Sequence, residues 1–283
     1  MARFPRTHDG GTRQGALAAA AAATVGWSHS TEAVRAVANS ASGDSVVDRI
    51  VRLLSAFPED VSALQLSELA ERSGLPLTTA HRLVRQLADH GLLDAAPGGL
   101  VRPGLRLWEL VNRTAPTLAL RQAAMPFMED IQQVLNQNVN LAVLDGWDAL
   151  FVERLSRRGS VANRARVAGR MPVHTSSAGL ALMAHQDRQL QGNFLDQFAD
   201  PAGKVTTDAV RVLLSETFHQ GFAQLKGVVD PDTWGIAVPV LDARQRAVAS
   251  LGVVVPLREM RLQALVPALQ TAARGIARRL NDA

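Results

Sequence analysis

The sequence contains no cysteine. That excludes disulfide scaffolds, thiolate metal sites and cysteine nucleophiles, and it suits a reducing compartment. Lysine is almost absent too: Lys204 and Lys226 are the only two, and arginine supplies the remaining positive charge. Arginine favours bidentate contacts to phosphate and guanine, although a GC-rich genome biases usage the same way. A net charge of +4 over 283 residues is too small for a protein that holds nucleic acid through an overall basic field. Any such binding has to come from a placed patch. The seven histidines are scattered, with no H-x-x-x-H pair and no carboxylate cluster at ligand spacing, so neither a metal centre nor another cofactor is expected. No uninterrupted apolar stretch approaches the ~20 residues of a membrane span.

What is present begins with an N-terminal segment in which Arg3, Arg6 and Arg13 precede "GALAAAAAATVGW", the layout of a secretion signal. Alanine is a weak residue for the apolar part of such a signal. Residues 1–43 are therefore read as a mobile, partly helical tail, or as extra sequence from an upstream start codon, and the protein is expected in the cytoplasm.

The stretch "LPLTTAHRLVRQLADHG", Leu75 to Gly91, is the most informative in the chain. At helical spacing, Ala80, Leu83, Val84 and Leu87 form one apolar stripe. Thr78, Arg82, Arg85 and Asp89 lie opposite, with His81 and Gln86 flanking and Thr79 near the start. Pro76 suits the beginning of the helix and Gly91 the left-handed residue just past its end. A shorter helix, "SELAERSG", precedes it with Ser67 as expected N-cap, and Gly74, Leu75 and Pro76 make the turn between them. An earlier helix over Asp44 to Phe57 is expected to turn Val47, Ile50, Val51 and Leu54 inward. Downstream, "LLDAAPGGLVRPG" reads as a hairpin turning at Pro97, Gly98 and Gly99. Three helices and a hairpin make a winged helix-turn-helix, in which the second helix of the motif enters the major groove of double-stranded DNA. A solvated face alone would explain charges opposite an apolar stripe; the ordered surroundings favour DNA binding.

The helix "LRLWELVNR" is interrupted near Pro116 and continues as a long amphipathic helix with Leu120, Ala124, Phe127 and Ile131 on one stripe. From Val139 onward, "VNLAVLDG", "ALFVERL", "GIAVPVLDA" and "VASLGVVVP" read as strands, with helices at about His174–His185, Asp187–Phe198 and Thr207–Gln220 and another near the C-terminal end. The class is α+β. The expected division is residues 44–104 for the winged helix-turn-helix, 105–120 for a linker helix and 121–283 for an effector-binding and oligomerisation domain.

In order and spacing, "LSELAERSGLPLTTAHRLVRQLADHGLL", "RPGLRLWEL", "NLAVLDG", "VERL", "MPVHTSSAGLALMAH" and "GIAVPVLDARQRAVASLGVVVP" resemble the IclR-type bacterial transcriptional regulators over roughly residues 45 to 282. The resemblance implies a GAF-like antiparallel sheet with an effector pocket on one face, a linker helix that helps form a homodimer or homotetramer, and binding to a DNA operator. Organic-acid sensors of this family often place Asp, Cys and Ser side chains around the pocket. At those positions this sequence carries Leu225, Gly235, Gly252 and Val254, while the helix-start loop survives as Ser176, Ser177 and Ala178. The lost polar groups and the two glycines imply a roomier, more apolar cavity and a larger acid, such as an aromatic one, as effector. An open alternative is a second domain that only oligomerises and has lost its ligand.

His174 beside Ser176 and Ser177 at a helix start does not make a hydrolase, since G-x-S-x-G is absent and no third group is positioned to hold a base. No catalytic residue is assigned. The DNA contacts expected are Thr78, Thr79, His81, Arg82 and Arg85 on the helix, with Arg102 in the wing touching phosphate.

Overall fold

The computed structural model describes residues 44–58, 61–114, 116–201, 203, 205–258 and 262–282, so the expected N-terminal tail over 1–43 lies outside them. Contacts divide the described chain into two compact units, with the division between residues 116 and 117.

The first unit opens with α1, Val46–Ser55, whose start is fixed by a reciprocal cap: the Asp48 N–H donates to the Ser45 hydroxyl and the Ser45 N–H to the Asp48 carboxylate, each at 3.1 Å. Leu53 is fully buried with Ile50 and Leu54 packed against the same cluster, whereas Val47 and Val51 face outward, 67 % and 50 % exposed. The inward stripe is thus rotated from the expected one. A stripe built on leucine and isoleucine buries more apolar area than one that spends two positions on valine.

Strand β1, Leu64–Gln65, leads directly into α2, Leu66–Ser73. Ser67 is not the cap expected of it, because Leu64 and Gln65 pair with Val101 and Leu100 of the hairpin, which keeps the backbone extended up to Gln65 and starts the helix two residues earlier. After the Gly74 turn, α3 runs Leu77–Asp89 with Pro76 at its N-cap, the Pro76 carbonyl accepting from the Thr79 and Ala80 N–H groups. Ala80, Leu83 and Leu87 are buried with Leu53, Leu69 and Leu75, and Val84 packs beside them. Gly91 closes the helix at φ +69°, letting the Leu92 N–H reach back to the Leu87 carbonyl at 2.8 Å. Strands β2, Leu93–Ala96, and β3, Leu100–Pro103, form the wing, and the small sheet has the order β1-β3-β2. Helix α4, Leu105–Thr114, follows.

The linker helix expected over 105–120 is two helices. Residues 116–120 belong to α5, Pro116–Leu135, and Leu120 is buried in the core of the second unit. That unit is built on six antiparallel strands: β4 Asn138–Asp145, β5 Asp148–Leu155, β6 Arg170–Pro172, β7 Ala223–Lys226, β8 Thr233–Leu241 and β9 Ala247–Pro256, in the order β6-β5-β4-β9-β8-β7. Between them lie α6, Ser177–Ala184, α7, Arg188–Gln197, and α8, Thr207–Gln220, and α9, Leu262–Asn281, comes last. Period-two alternation sorts the strand residues into two cores. Val139, Leu141, Ile236, Val238, Leu251 and Val253 meet Ala124 and Met128 of α5 and Leu269 and Ile276 of α9. Ala142, Phe151 and Ala237 meet α6 to α8 on the opposite face. Helix α6 is buried on all sides, as its "AGLALMA" run demands. Its Gly179 lies so close to the preceding turn that an added Cβ would sit 2.6 Å from Val173 Cα, so the helix start is pressed against the sheet-side turn that delivers it. No helix among the described residues is long and apolar enough to cross a membrane.

Candidate functional site

Two surfaces concentrate the residues singled out in the sequence. On α3, Thr78, His81, Arg82 and Arg85 are exposed and Thr79 is half-buried. Among the described residues none of His81, Arg82 and Arg85 is engaged in an ion pair or hydrogen bond, so their donors are available. Arg102 is exposed on the wing and pairs with Asp94 directly across the hairpin, N···O 3.6 Å. Both partners are largely in solvent, and such a pair contributes little and exchanges readily.

In the second unit, all seven residues expected at a ligand site line one cavity of about 570 Å³, counting its open mouth: Ser176, Ser177, Ala178, Leu225, Gly235, Gly252 and Val254. The sheet forms its floor, the start of α6 one end, and residues 162–165 of the loop between β5 and β6 part of its wall. The two helix-start serines differ in state. Ser176 is the N-cap of α6, its hydroxyl accepting from the Gly179 N–H at 2.9 Å. Ser177 keeps its hydroxyl free, and the Ser177 and Ala178 N–H groups find no acceptor among the described residues. The cavity thus meets three donors at the positive end of a helix.

The two glycines do not enlarge the cavity in the way expected. A Cβ on Gly235 would lie 3.1 Å from Ser177 Oγ, and one on Gly252 3.2 Å from the Ala237 Cβ and 3.0 Å from the Ile236 carbonyl. The missing side chains admit neighbours: at Gly235 the absence lets the start of α6 approach the sheet. The lining is mostly apolar, and polar groups enter it from elsewhere. Asn140 comes from β4, and Asn163 and Arg164 from the β5–β6 loop. Sequence reasoning missed all three. The signal in "NVNLAV" is weak, since Asn alternating with Val and Leu reads as an ordinary half-solvated strand.

That loop is tied down by hydrogen bonds. The Asn138 amide donates to the Val161 carbonyl at 2.7 Å and its Oδ1 accepts from the Ser156 hydroxyl at 2.8 Å. Arg154 donates to the Ala165 carbonyl at 2.9 Å and to Ser156 Oγ at 2.6 Å. Asn163 Nδ2 donates to Asn140 Oδ1, and the Ala165 N–H to Asn163 Oδ1, both at 3.0 Å.

His174 stands beside the cavity residues with its ring edge against Phe198, centroids 4.9 Å apart. Burial pushes its pKa below the usual histidine value, against the opposing pull of the Asp200 charge, so it is neutral at pH 7 and adds no cation to the helix start. With Ser176 committed to capping, the "HTSSAG" run serves to begin α6.

Family profiles match both units: the IclR helix-turn-helix domain over residues 46–97, and the bacterial transcriptional regulator IclR C-terminal domain over 113–278. The fold resembles an IclR homologue from Microbacterium hydrocarbonoxydans solved in complex with 4-hydroxybenzoate, at 39 % identity and TM-score 0.78, covering 84 % of this chain and all of that one. It also resembles an IclR homologue from Microbacterium sp. strain HM58-2, at 37 % identity and TM-score 0.53, covering 85 % of this chain and 99 % of that one. Among curated proteins, the HTH-type transcriptional regulator XynR of Escherichia coli is 26 % identical over 211 residues, which is 72 % of this chain and 83 % of that protein.

The different states of the two serines give a stability test. Ser176→Ala removes a cap and is expected to cost about 0.5–2 kcal/mol in urea unfolding, while Ser177→Ala, whose hydroxyl bonds nothing among the described residues, stays within about 0.5 kcal/mol of the parent. Equal losses would contradict the division of labour between them.

Proposed function

The chain belongs to the IclR family of bacterial transcriptional regulators, which bind DNA and are not enzymes, and we propose that its affinity for its operator is set by an aromatic carboxylic acid held in the second-unit cavity. The observation that carries this reading is the pairing of three free donors, the Ser177 and Ala178 N–H groups and the Ser177 hydroxyl, with a slot walled by Phe151, Met171, Leu225 and Val254. The helix start suits a carboxylate and the slot a flat apolar body. A relative of 39 % identity was solved with 4-hydroxybenzoate, an acid of this kind. A two- to four-carbon acid would leave the apolar walls unfilled.

At the DNA, α3 lies in the major groove. Arg82 and Arg85 reach base edges, Thr78, Thr79 and His81 bond near the helix start, and Arg102 leaves Asp94 for phosphate. One such helix reads a half-site, so the working form is a homodimer or a homotetramer built from dimers. Supporting this, α4 carries Leu105, Trp108 and Val111 on one face, exposed by 76 %, 64 % and 57 %, a stripe that a second copy would cover. The acid acts by binding the DNA-competent and DNA-incompetent arrangements with different affinity, since equal binding shifts nothing.

Two measurements test this reading. Arg82→Ala and Arg85→Ala are expected to weaken binding by about 1–3 kcal/mol on the cognate site and much less on random DNA, whereas Arg102→Ala weakens both alike and lowers the salt slope by about one. Equal specific and non-specific losses for both helix arginines would remove the base-reading role. For the effector, a thermal-shift and operator-release panel is expected to respond to aromatic acids and not to glyoxylate or pyruvate. Gly235→Leu, which drives a side chain against Ser177 Oγ, should abolish the response. Release by the small acids alone, or a response intact in Gly235→Leu, would overturn it.

A further inference from the structure

Resting on that reading, we infer that Asn140 recognises the end of the ligand opposite the carboxylate, selecting aromatic acids that carry a hydrogen-bond-accepting oxygen there. Asn140 is 5 % exposed, on the inward face of β4 and in the cavity floor. Its orientation follows from its neighbours. The Ala165 N–H donates to one amide atom of Asn163, which must therefore be the oxygen, leaving the Asn163 NH₂ to face Asn140. Asn140 in turn presents its oxygen to that NH₂, and its own NH₂ is left with no acceptor among the described residues. Turning either amide over would set two donors against each other. A deeply buried amide thus offers N–H donors and nothing else to the cavity, and a buried donor that bonds neither protein nor ligand is costly.

Sheet register gives the distance to the other donors. Asn140 pairs with Gly252 on β9, and Gly252 with Ala237 on β8; Gly235, which touches Ser177, lies two residues further along β8. The backbones of Asn140 and Gly235 are therefore about 10 Å apart across the sheet and about 7 Å along it, with a donor group beside each. A benzoate with an oxygen at its para position, hydrogen-bonded at both ends, bridges that interval, and Gly252 and Val254 supply the smooth floor beneath the ring. Unsubstituted benzoate satisfies the helix start and leaves the Asn140 NH₂ unbonded. Asn163 is a positioning residue, acting by fixing which way Asn140 points.

The test is calorimetric titration of the full chain with 4-hydroxybenzoate, benzoate and 4-methylbenzoate, the last filling the same space without an acceptor. The parent protein is expected to prefer 4-hydroxybenzoate over both others by about tenfold. Asn140→Leu should bring that ratio close to one, and Asn163→Ala to an intermediate value; a purely structural role would weaken all three acids alike and leave the ratio unchanged. Equal binding of the three acids by the parent, or a full preference retained in Asn140→Leu, would overturn the assignment. Because the parent comparison decides selectivity, a variant that fails to fold leaves the test intact. A parent that binds none of the three acids contradicts the proposed function itself.

Discussion

Two asparagines lie buried on one face of a central strand, and most of the candidate ligand site follows from satisfying them. Asn138 is fully buried and Asn140 nearly so, while the remaining positions of β4 on that face, Ala142 and Leu144, pack against apolar helices. Buried amides have to be hydrogen-bonded, and β9 and β5 on either side spend their backbone groups on the ladder. The partners come from the loop between β5 and β6: Val161, Ser156, Ser160 and Asn163 each bond one of the two side chains. Drawing that loop over the sheet converts an open β surface into a walled cavity. The wall is made largely of hydrogen bonds, with Ala165 as its buried apolar contribution.

The other end of the cavity is set by backbone proximity. Gly179 admits Val173 and the Ser176 hydroxyl, and Gly235 admits Ser177, so the first turn of α6 lies against the sheet, and its Ser177 and Ala178 line the cavity. A Cβ at either glycine would push that turn outward. The cavity is thus bounded by two arrangements of different chemistry, one of amides on a strand and one of a helix start. In the proposed account a ligand has to match both, which is a stricter requirement than filling apolar volume.

Long elements with one period were legible in the sequence. The apolar stripe of α3, its end at Gly91, the stripe of α5 and the four long strands all follow from spacing and end signals, because burial of a face leaves a periodic trace. Strands β6 and β7, at three and four residues, left none. At α1 several apolar stripes were available and packing chose the one with the larger side chains; at α2 pairing with the wing overrode the capping signal of Ser67. At the cavity the resemblance brought seven positions together, but the physical role of Gly235 and Gly252 was misread, since absence of a side chain reveals space only when the neighbours are known. Asn140 escaped notice because polar–apolar alternation looks the same whether the polar face meets water or a buried cavity.

The central claim is that cavity and operator are energetically linked, and linkage is reciprocal: an acid that changes operator affinity by some factor must have its own affinity changed by the operator by that same factor. The most direct test measures both legs on the full chain at one salt concentration, operator affinity with and without saturating 4-hydroxybenzoate and acid affinity with and without saturating operator. The account predicts matching changes, on the order of 5- to 150-fold. An acid that binds tightly while operator affinity stays the same, with the reverse leg equally flat, would contradict it and leave the second unit without a regulatory ligand of this class.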